Sequence, residues 1–331
     1  MTSNNFLEDI YEFEVEVIVC TYNGEKYIVE QLESIISQKH KPDLVSVYDD
    51  DSSDSTVSII NDFIKNNNKI PIRLIRNKNN IGYVENFSQG IRRSSGKILF
   101  FSDQDDRWHP EKIQELLRMF NDYGVDLVFS NGYLIDANGR IIKKKSVLHY
   151  YGLSTSDILN FSRQAISRLA RRNYINGASM AVRRSMAISA LPVPDGMPHD
   201  YWIAIWCALH SGVSVSSRCL YYYRQHANNV IGVGLHKWRH IIYWMVVAPR
   251  GPRLIEYARY VNFVPRLDSF PRASIFREKL SWLENCVIKE GRINRFFSIC
   301  SSFFSGKYLR FGGGYALLRD VASLFVLKKY N

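Results

Sequence analysis

Three carboxylates stand within four residues at Asp103-Gln104-Asp105-Asp106, and an earlier stretch reads Asp49-Asp50-Asp51-Ser52-Ser53-Asp54. Carboxylates this close repel: at ~5 Å and an effective dielectric of ~20, each close pair costs roughly 3 kcal/mol. A bound cation relieves that cost, and hard oxygen donors suit Mg2+ or Mn2+ better than zinc. Such a cation usually keeps one or two protein carboxylates and completes its shell with substrate phosphates. A solvated acidic turn ahead of a helix starting at Pro110 explains the same spacing equally well. In the earlier stretch, Ser52, Ser53, Asp54 and Ser55 are ordinary turn and cap formers. Asp50 stands apart, because a carboxylate at a strand end can also accept a hydrogen bond from a nucleobase imide.

Short apolar runs at 15–20, 44–48, 72–75, 98–101 and 127–129 are rich in Val, Ile and Phe and predict buried strands. Helical patterns fill the intervals at 26–38, 55–66, 84–94 and 110–123. This alternation predicts an α/β fold, a mostly parallel sheet with helices on both faces. In such sheets ligands bind beyond the carboxyl ends of the strands. Thr21-Tyr22-Asn23-Gly24-Glu25 follows the first strand, the Asp49 run the second and the Asp103 run the fourth, so the polar groups meet at one sheet edge. Further along, 133–142 predicts a hairpin turning at Asn138-Gly139. Residues 150–172 predict a helix and 175–182 a strand. A proline-rich loop then leads to a helix over 200–211, and 220–224 predicts a last strand.

The chain has 331 residues, of which 46% are hydrophobic and 23% charged, a balance that favours a folded protein over disorder. Its net charge of +11 is uneven. Residues 235–331 hold 17 basic and 6 acidic residues, whereas 1–234 hold 26 of each. That last third mixes Trp, Tyr and Phe with Lys and Arg in helical patterns. It is predicted to form a basic, aromatic extension that either lies on an anionic membrane surface or packs on the rest of the chain. No nucleic-acid-binding motif occurs, so no nucleic-acid partner is expected. Five cysteines without a C-x-x-C pair fit a reducing compartment, and the N-terminus lacks the apolar core of a secretory signal. No apolar run approaches the ~18 residues a spanning helix needs. The expected location is therefore cytoplasmic, peripheral on the inner face of the membrane. The sequence also lacks G-x-G-x-x-G after the first strand, a Walker A lysine, G-x-S-x-G and H-E-x-x-H.

Four segments together, Val17-Ile-Val-Cys-Thr-Tyr-Asn23, Asp49 to Thr56, Asn80-Ile-Gly82 and Phe101 to Trp108, resemble family 2 glycosyltransferases of the GT-A fold, in that family's order and spacing. The resemblance covers about residues 14–232. The DQDD-x-W form, with His199-Asp200-Tyr-Trp202 and the stretch from Tyr223 to Val230, looks most like the bacterial rhamnosyltransferase branch. It implies a mixed sheet flanked by helices over 1–234, with a nucleotide-sugar half at about 14–130, an acceptor half at about 131–234, and a C-terminal helical extension at 235–331. It also implies roles. Thr21, Tyr22, Glu25 and Asp50 would line the nucleoside pocket, with Asn80 and Gly82 beside them. Asp103 would face the ribose, and Asp105 would hold Mg2+ or Mn2+ on the diphosphate, with Asp103 as a further ligand. Asp200 would be the general base. His226 and Arg224 would close over the metal or the diphosphate, and Asn176, Gly177 and Trp202 would lie on the acceptor side.

Each of the later residues has an ordinary alternative: Asp200 a helix cap, His226 a loop histidine, Asn176-Gly177 a turn and Trp202 a packing residue. One departure is Asp51, where the family often has glycine. The implied reaction is inverting transfer of a sugar, with dTDP-rhamnose the leading donor, to a saccharide on a polyprenyl diphosphate carrier. Two rivals remain: a sugar-phosphate nucleotidyltransferase, and a non-enzymatic basic module that binds membrane.

Overall fold

The computed structural model describes residues 14–67, 69–142, 146–226 and 251–324. Its central element is an eight-stranded sheet in the order β3-β2-β1-β4-β7-β6-β8-β5. The strands are β1 (Val15–Thr21), β2 (Leu44–Asp49), β3 (Ile72–Arg76), β4 (Ile98–Asp103), β5 (Arg107–Trp108), β6 (Leu127–Ile135), β7 (Met180–Arg183) and β8 (Val213–Arg224). The first four pair in parallel. Every residue of β1 is buried, which is why its sequence is continuously apolar rather than alternating. Glu16 is the exception in that strand. Its burial is offset by hydrogen bonds from Ser46, Arg73 and the Ser95 and Gly96 amides, which hold its carboxyl below the ordinary range.

The register decides what stands at the sheet edge. Thr21 lies beside Asp49, and Cys20 beside both Tyr48 and Asp103, so the ends of β1, β2 and β4 are level. The connecting helices are α1 (Ile28–Ile36), α2 (Thr56–Asn66), α3 (Tyr83–Arg93) and α4 (Lys112–Tyr123), the last ended by Gly124 in the left-handed conformation.

Beyond β4 the sheet turns mixed. β7 runs antiparallel to β4 and β6, while β6 and β8 are parallel with bulges around Asn131. Here the structure corrects several expectations. The helix over 150–172 is broken into Val147–Tyr150, Thr155–Leu159, a single 3-10 turn and Ala165–Arg171. Gly152 at φ 90 stops the first piece, and a Ser154–Asp157 capping box starts the second. The strand over 175–182 begins only at Met180, because the Asn176 side chain caps the Ala178 amide and winds 177–179 into a 3-10 turn. The last strand is longer than 220–224, and β5 was unforeseen. The hairpin over 133–142 reduces to a tight turn with one bridge, Ile135 to Ile141.

The chain forms two compact units, one of 1–165, 174–193 and 198–230, the other of 166–173, 194–197 and 231–331. The expected boundary at 234 lies outside the described residues. The second unit has four longer helices, Gly251–Phe263, Ser274–Leu283, Arg292–Phe304 and Gly313–Ala322, and the first, second and fourth share a buried ionic network. Arg253 makes two bonds to Asp320, at 3.2 and 3.1 Å, and its guanidinium lies 4.2 Å over the Trp282 ring. Glu256 bridges Arg253 and Lys279 at 2.9 and 2.6 Å. Two positive charges face two negative ones, the condition for tolerating their burial. No described helix is long and apolar enough to cross a membrane.

Candidate active site

The loop after β1 is zipped to the loop after β2. Asn23 and Gly24 donate their amides to Ser52 Oγ and Thr56 Oγ1, at 2.9 and 2.8 Å. Glu25 donates to Asp54 at 3.2 Å, and its own carboxylate accepts the Ser55 amide at 2.9 Å. Gln104 clamps the same loop from β4. Its Oε1 accepts from the Thr21 hydroxyl and the Tyr22 amide at 2.6 and 2.7 Å, and its Nε2 donates to the Tyr22 carbonyl at 2.9 Å. A Cβ at position 24 would lie 2.2 Å from Gln104 Oε1, so a side chain there would displace the Gln104 amide from its clamp. Thr21 is buried, while the Tyr22 ring is 48% exposed and available to a ligand.

Asp50 holds a third loop. Its carboxylate accepts from Asn77 Nδ2 and the Ile81 amide, both at 2.9 Å, and from the Gly82 amide at 2.8 Å. Asp50 is thus a staple between β2 and the loop carrying Asn80, which is exposed, and Gly82, which starts α3 at φ 82. A carboxylate accepts about four hydrogen bonds, so one site remains for a ligand. The departure at Asp51 is also resolved. Its φ is 64, the left-handed region that glycine adopts freely and aspartate tolerates, and Arg76 pairs with it at 3.1 Å.

The three carboxylates of the acidic cluster have different surroundings. Asp105 Oδ2 meets His226 Nε2 at 2.7 Å, with both side chains 14% exposed. Asp106 is fully buried; its Oδ1 accepts the Arg224 amide at 3.0 Å, and its Oδ2 has no protein partner. Burial, with Asp105 and Asp103 nearby, pushes its carboxyl well up. Asp103, at the end of β4, is raised to about 7 by burial and then by Asp105 and Asp200.

Sequence reasoning missed a residue here. Lys112 is completely buried, donates to the Ala178 carbonyl and lies 3.5 Å over the Trp108 ring. Its positive charge opposes those of Asp106 and Asp103, while burial holds its own ammonium well below the ordinary range. Lys112 therefore adds a buried amine from α4 beside the acidic cluster. The signal was legible: Lys112 shares the apolar face of α4 with Ile113, Leu116 and Leu117.

Asp200 is brought to the same place from the other half of the sheet. It is the second residue of a helix, His199–His210, whose cap position is Pro198. Its Oδ2 accepts the Gly177 amide at 3.0 Å, and its Oδ1 accepts the Tyr201 amide in the first turn of the helix at 2.5 Å. The helix N-terminus favours its negative charge. Asn176 shapes the turn that presents that amide, and a Cβ on Gly177 would lie 3.0 Å from His199 Nε2. His199 is itself buried against Phe87, with ring centroids 4.1 Å apart, and neither ring nitrogen has a partner.

Two expected site residues are placed otherwise. Arg224 is 1% exposed and bound by protein acceptors: Asp105 O at 2.7 Å, Glu30 Oε2 at 2.5 Å, and the Asp136 and Ala137 carbonyls. These bonds tie it to the acidic cluster and to Glu30. Trp202 is 1% exposed and donates to the Ala190 carbonyl at 2.6 Å, which makes it a packing residue.

Among the described residues, no group of three or more His, Cys, Asp or Glu side chains could hold a metal ion alone. Asp103 therefore does not complete a three-residue set with Asp105 and His226. That pair fits the sparser arrangement in which substrate phosphates supply the remaining ligands of a Mg2+ or Mn2+ ion.

A parallel half-sheet with acidic strand ends, joined to a mixed half that contributes one more carboxylate, is the architecture of nucleotide-sugar transferases of the GT-A type. Solved structures share it. TarS of S. aureus in complex with UDP-GlcNAc is 20% identical with a TM-score of 0.57, over 82% of this chain and 72% of that one. The mannosyltransferase PcManGT from Pyrobaculum calidifontis, in complex with GDP-Man and Mn2+, is 16% identical with a TM-score of 0.55, over 95% and 86%. A family model for glycosyl transferase family 2 matches residues 16–189, more than half of the chain, and the chain belongs to that family. An uncharacterized glycosyltransferase of Haemophilus influenzae is 36% identical over 103 residues, 31% of each chain. The chain spans from about a third to under two thirds of the length of the curated relatives it matches.

Proposed function

We propose that this chain is an inverting glycosyltransferase that moves a sugar from a nucleotide-diphospho-sugar to a saccharide acceptor in bacterial surface polysaccharide synthesis, such as O-antigen or capsule. One observation carries the proposal. Asp103, the Asp105–His226 pair and Asp200 stand together at the carboxyl edge of the sheet, close enough for Asp200 to raise the pKa of Asp103. Tyr22 offers an exposed ring to the nucleoside, and the free lone pair of Asp50 can take a base N–H. Asp103 would face the ribose. Asp200, held by the Gly177 amide, takes the proton of the acceptor hydroxyl as that oxygen attacks the anomeric carbon. The bond to the diphosphate breaks on the opposite side, which inverts the centre and needs no covalent nucleophile. A Mg2+ or Mn2+ ion bound at Asp105 and His226 would neutralise charge on the departing diphosphate.

The donor sugar follows from the rhamnosyltransferase-like motifs, so dTDP-rhamnose is the first candidate. The acceptor is a saccharide on a polyprenyl diphosphate carrier, at the inner face of the cytoplasmic membrane, which the basic last third would approach. The nucleotidyltransferase alternative lacks support, because the loop after β1 carries no glycine-rich, basic stretch for a triphosphate. A non-enzymatic membrane module leaves the clustered carboxylates without a purpose.

Incubating the protein with a panel of nucleotide sugars, Mn2+ and lipid-linked acceptor, and following nucleoside diphosphate release, tests the reading. Release from one donor, dependent on acceptor, is the expected result. No release from any donor would remove it.

A further inference from the structure

The helix Arg292–Phe304 shows solvent the wrong side of itself. Its buried residues include Arg295, Ile299 and Ser302. Ile293, Phe296, Phe297, Phe303 and Phe304 are instead 72, 51, 65, 54 and 85% exposed. At about 100° per residue, these five fall within an arc of about 120°, opposite the buried three. Leu309, just beyond the helix, is 79% exposed. A contiguous aromatic stripe of this kind marks an interaction surface, unlike scattered apolar side chains.

Its charge selects the partner. Beside the stripe Lys289, Arg292 and Lys307 outnumber Glu290, while Arg295 is buried on the far side. Lys289 and Arg292 stand at the start of the helix and Lys307 just past its end, while Arg310 is paired with Glu278 at 2.7 Å. A second copy docking by twofold symmetry would set this excess of positive charge against itself. An anionic lipid surface matches both features: headgroups meet the flanking cations and the rings enter the interface.

We infer that the outward stripe of Arg292–Phe304, with Leu309, docks the protein on an anionic membrane, the helix lying along the surface. This rests on the membrane partner proposed above and names the surface that meets it. The test uses the full chain with phosphatidylcholine vesicles, with and without phosphatidylglycerol, read by co-sedimentation. Wild type is expected to bind the phosphatidylglycerol vesicles and to be released by salt. Phe297→Ser with Phe304→Ser should lower partitioning by about tenfold or more without changing the melting temperature, because both rings are exposed in the free protein. Arg292→Glu with Lys307→Glu keeps the stripe and should lose the preference for anionic lipid. Binding by wild type that the phenylalanine pair leaves unchanged overturns the stripe and spares the membrane reading. Failure of wild type to bind either vesicle overturns both. If the same pair dissolves a dimer in sedimentation velocity, the occupant is a second copy and the inference is wrong.

Discussion

Replacing His199 with phenylalanine should change how stability depends on acid. The imidazole is buried against Phe87 and Phe101, has no partner at either nitrogen, and burial holds its pKa down at about 3 against an ordinary 6.5. Below pH 6.5 the unfolded chain binds a proton that the folded chain refuses. The unfolding free energy therefore falls with pH, by about 1.4 kcal/mol per unit, until the folded pKa is reached. Between pH 7 and pH 4 the loss is about 3 kcal/mol. Carboxylates such as Glu16 add an acid loss of their own, but they are common to both proteins and cancel in the difference. Phenylalanine also removes two unpartnered polar atoms, and any repacking cost it brings is independent of pH. Urea denaturation at pH 7, 5.5 and 4, followed by circular dichroism, reads the outcome. The stability of His199→Phe relative to wild type should rise by about 3 kcal/mol across that range. A difference that stays constant with pH would refute the account of a neutral, buried imidazole beside Asp200.

Asp200→Asn should lower kcat on the order of 10²–10⁴-fold while donor affinity is unchanged, because only the proton acceptor is removed; normal turnover excludes Asp200 as the base. Asp105→Asn should abolish the Mn2+-linked part of nucleoside diphosphate binding in titration calorimetry, and retained linkage would move the metal away from the Asp105–His226 pair. Arg224→Lys keeps the charge but loses the planar fork that holds Asp105, Glu30 and the 136–137 turn, and should cost about 3 kcal/mol of stability. A melting curve equal to wild type would deny the guanidinium this bracing role.

Much of the parallel half was legible in the residues. Short apolar runs rich in Val and Ile between helical patterns fit buried parallel strands, and the polar loops after β1, β2 and β4 then share one edge, whereas the run at 72–75 is only half-buried because β3 is the edge strand. The second half was harder to read because its course depends on single local bonds. The Asn176 cap delays β7, and Gly152 and Ser154 break what periodicity shows as one helix.

The sequence by itself determined which groups gather at the sheet edge, since strand ends and the polarity of the loops after them follow from the pattern of period and burial. It also determined that the last third is basic and aromatic. Only the tertiary structure decided what each gathered group does, because a side chain's partners come from segments distant along the chain. Asp50 became a staple for the 77–82 loop, Arg224 a buried brace and Trp202 a packing residue. Lys112 became a buried neighbour of the acidic cluster, tied to the Ala178 carbonyl and lying over the Trp108 ring. Whether a helix turns its phenylalanines inward or outward is likewise undecided by its spacing, which is the same for either face. Packing against its neighbours buried Arg295 and Ile299 and left Phe297 and Phe304 to the solvent.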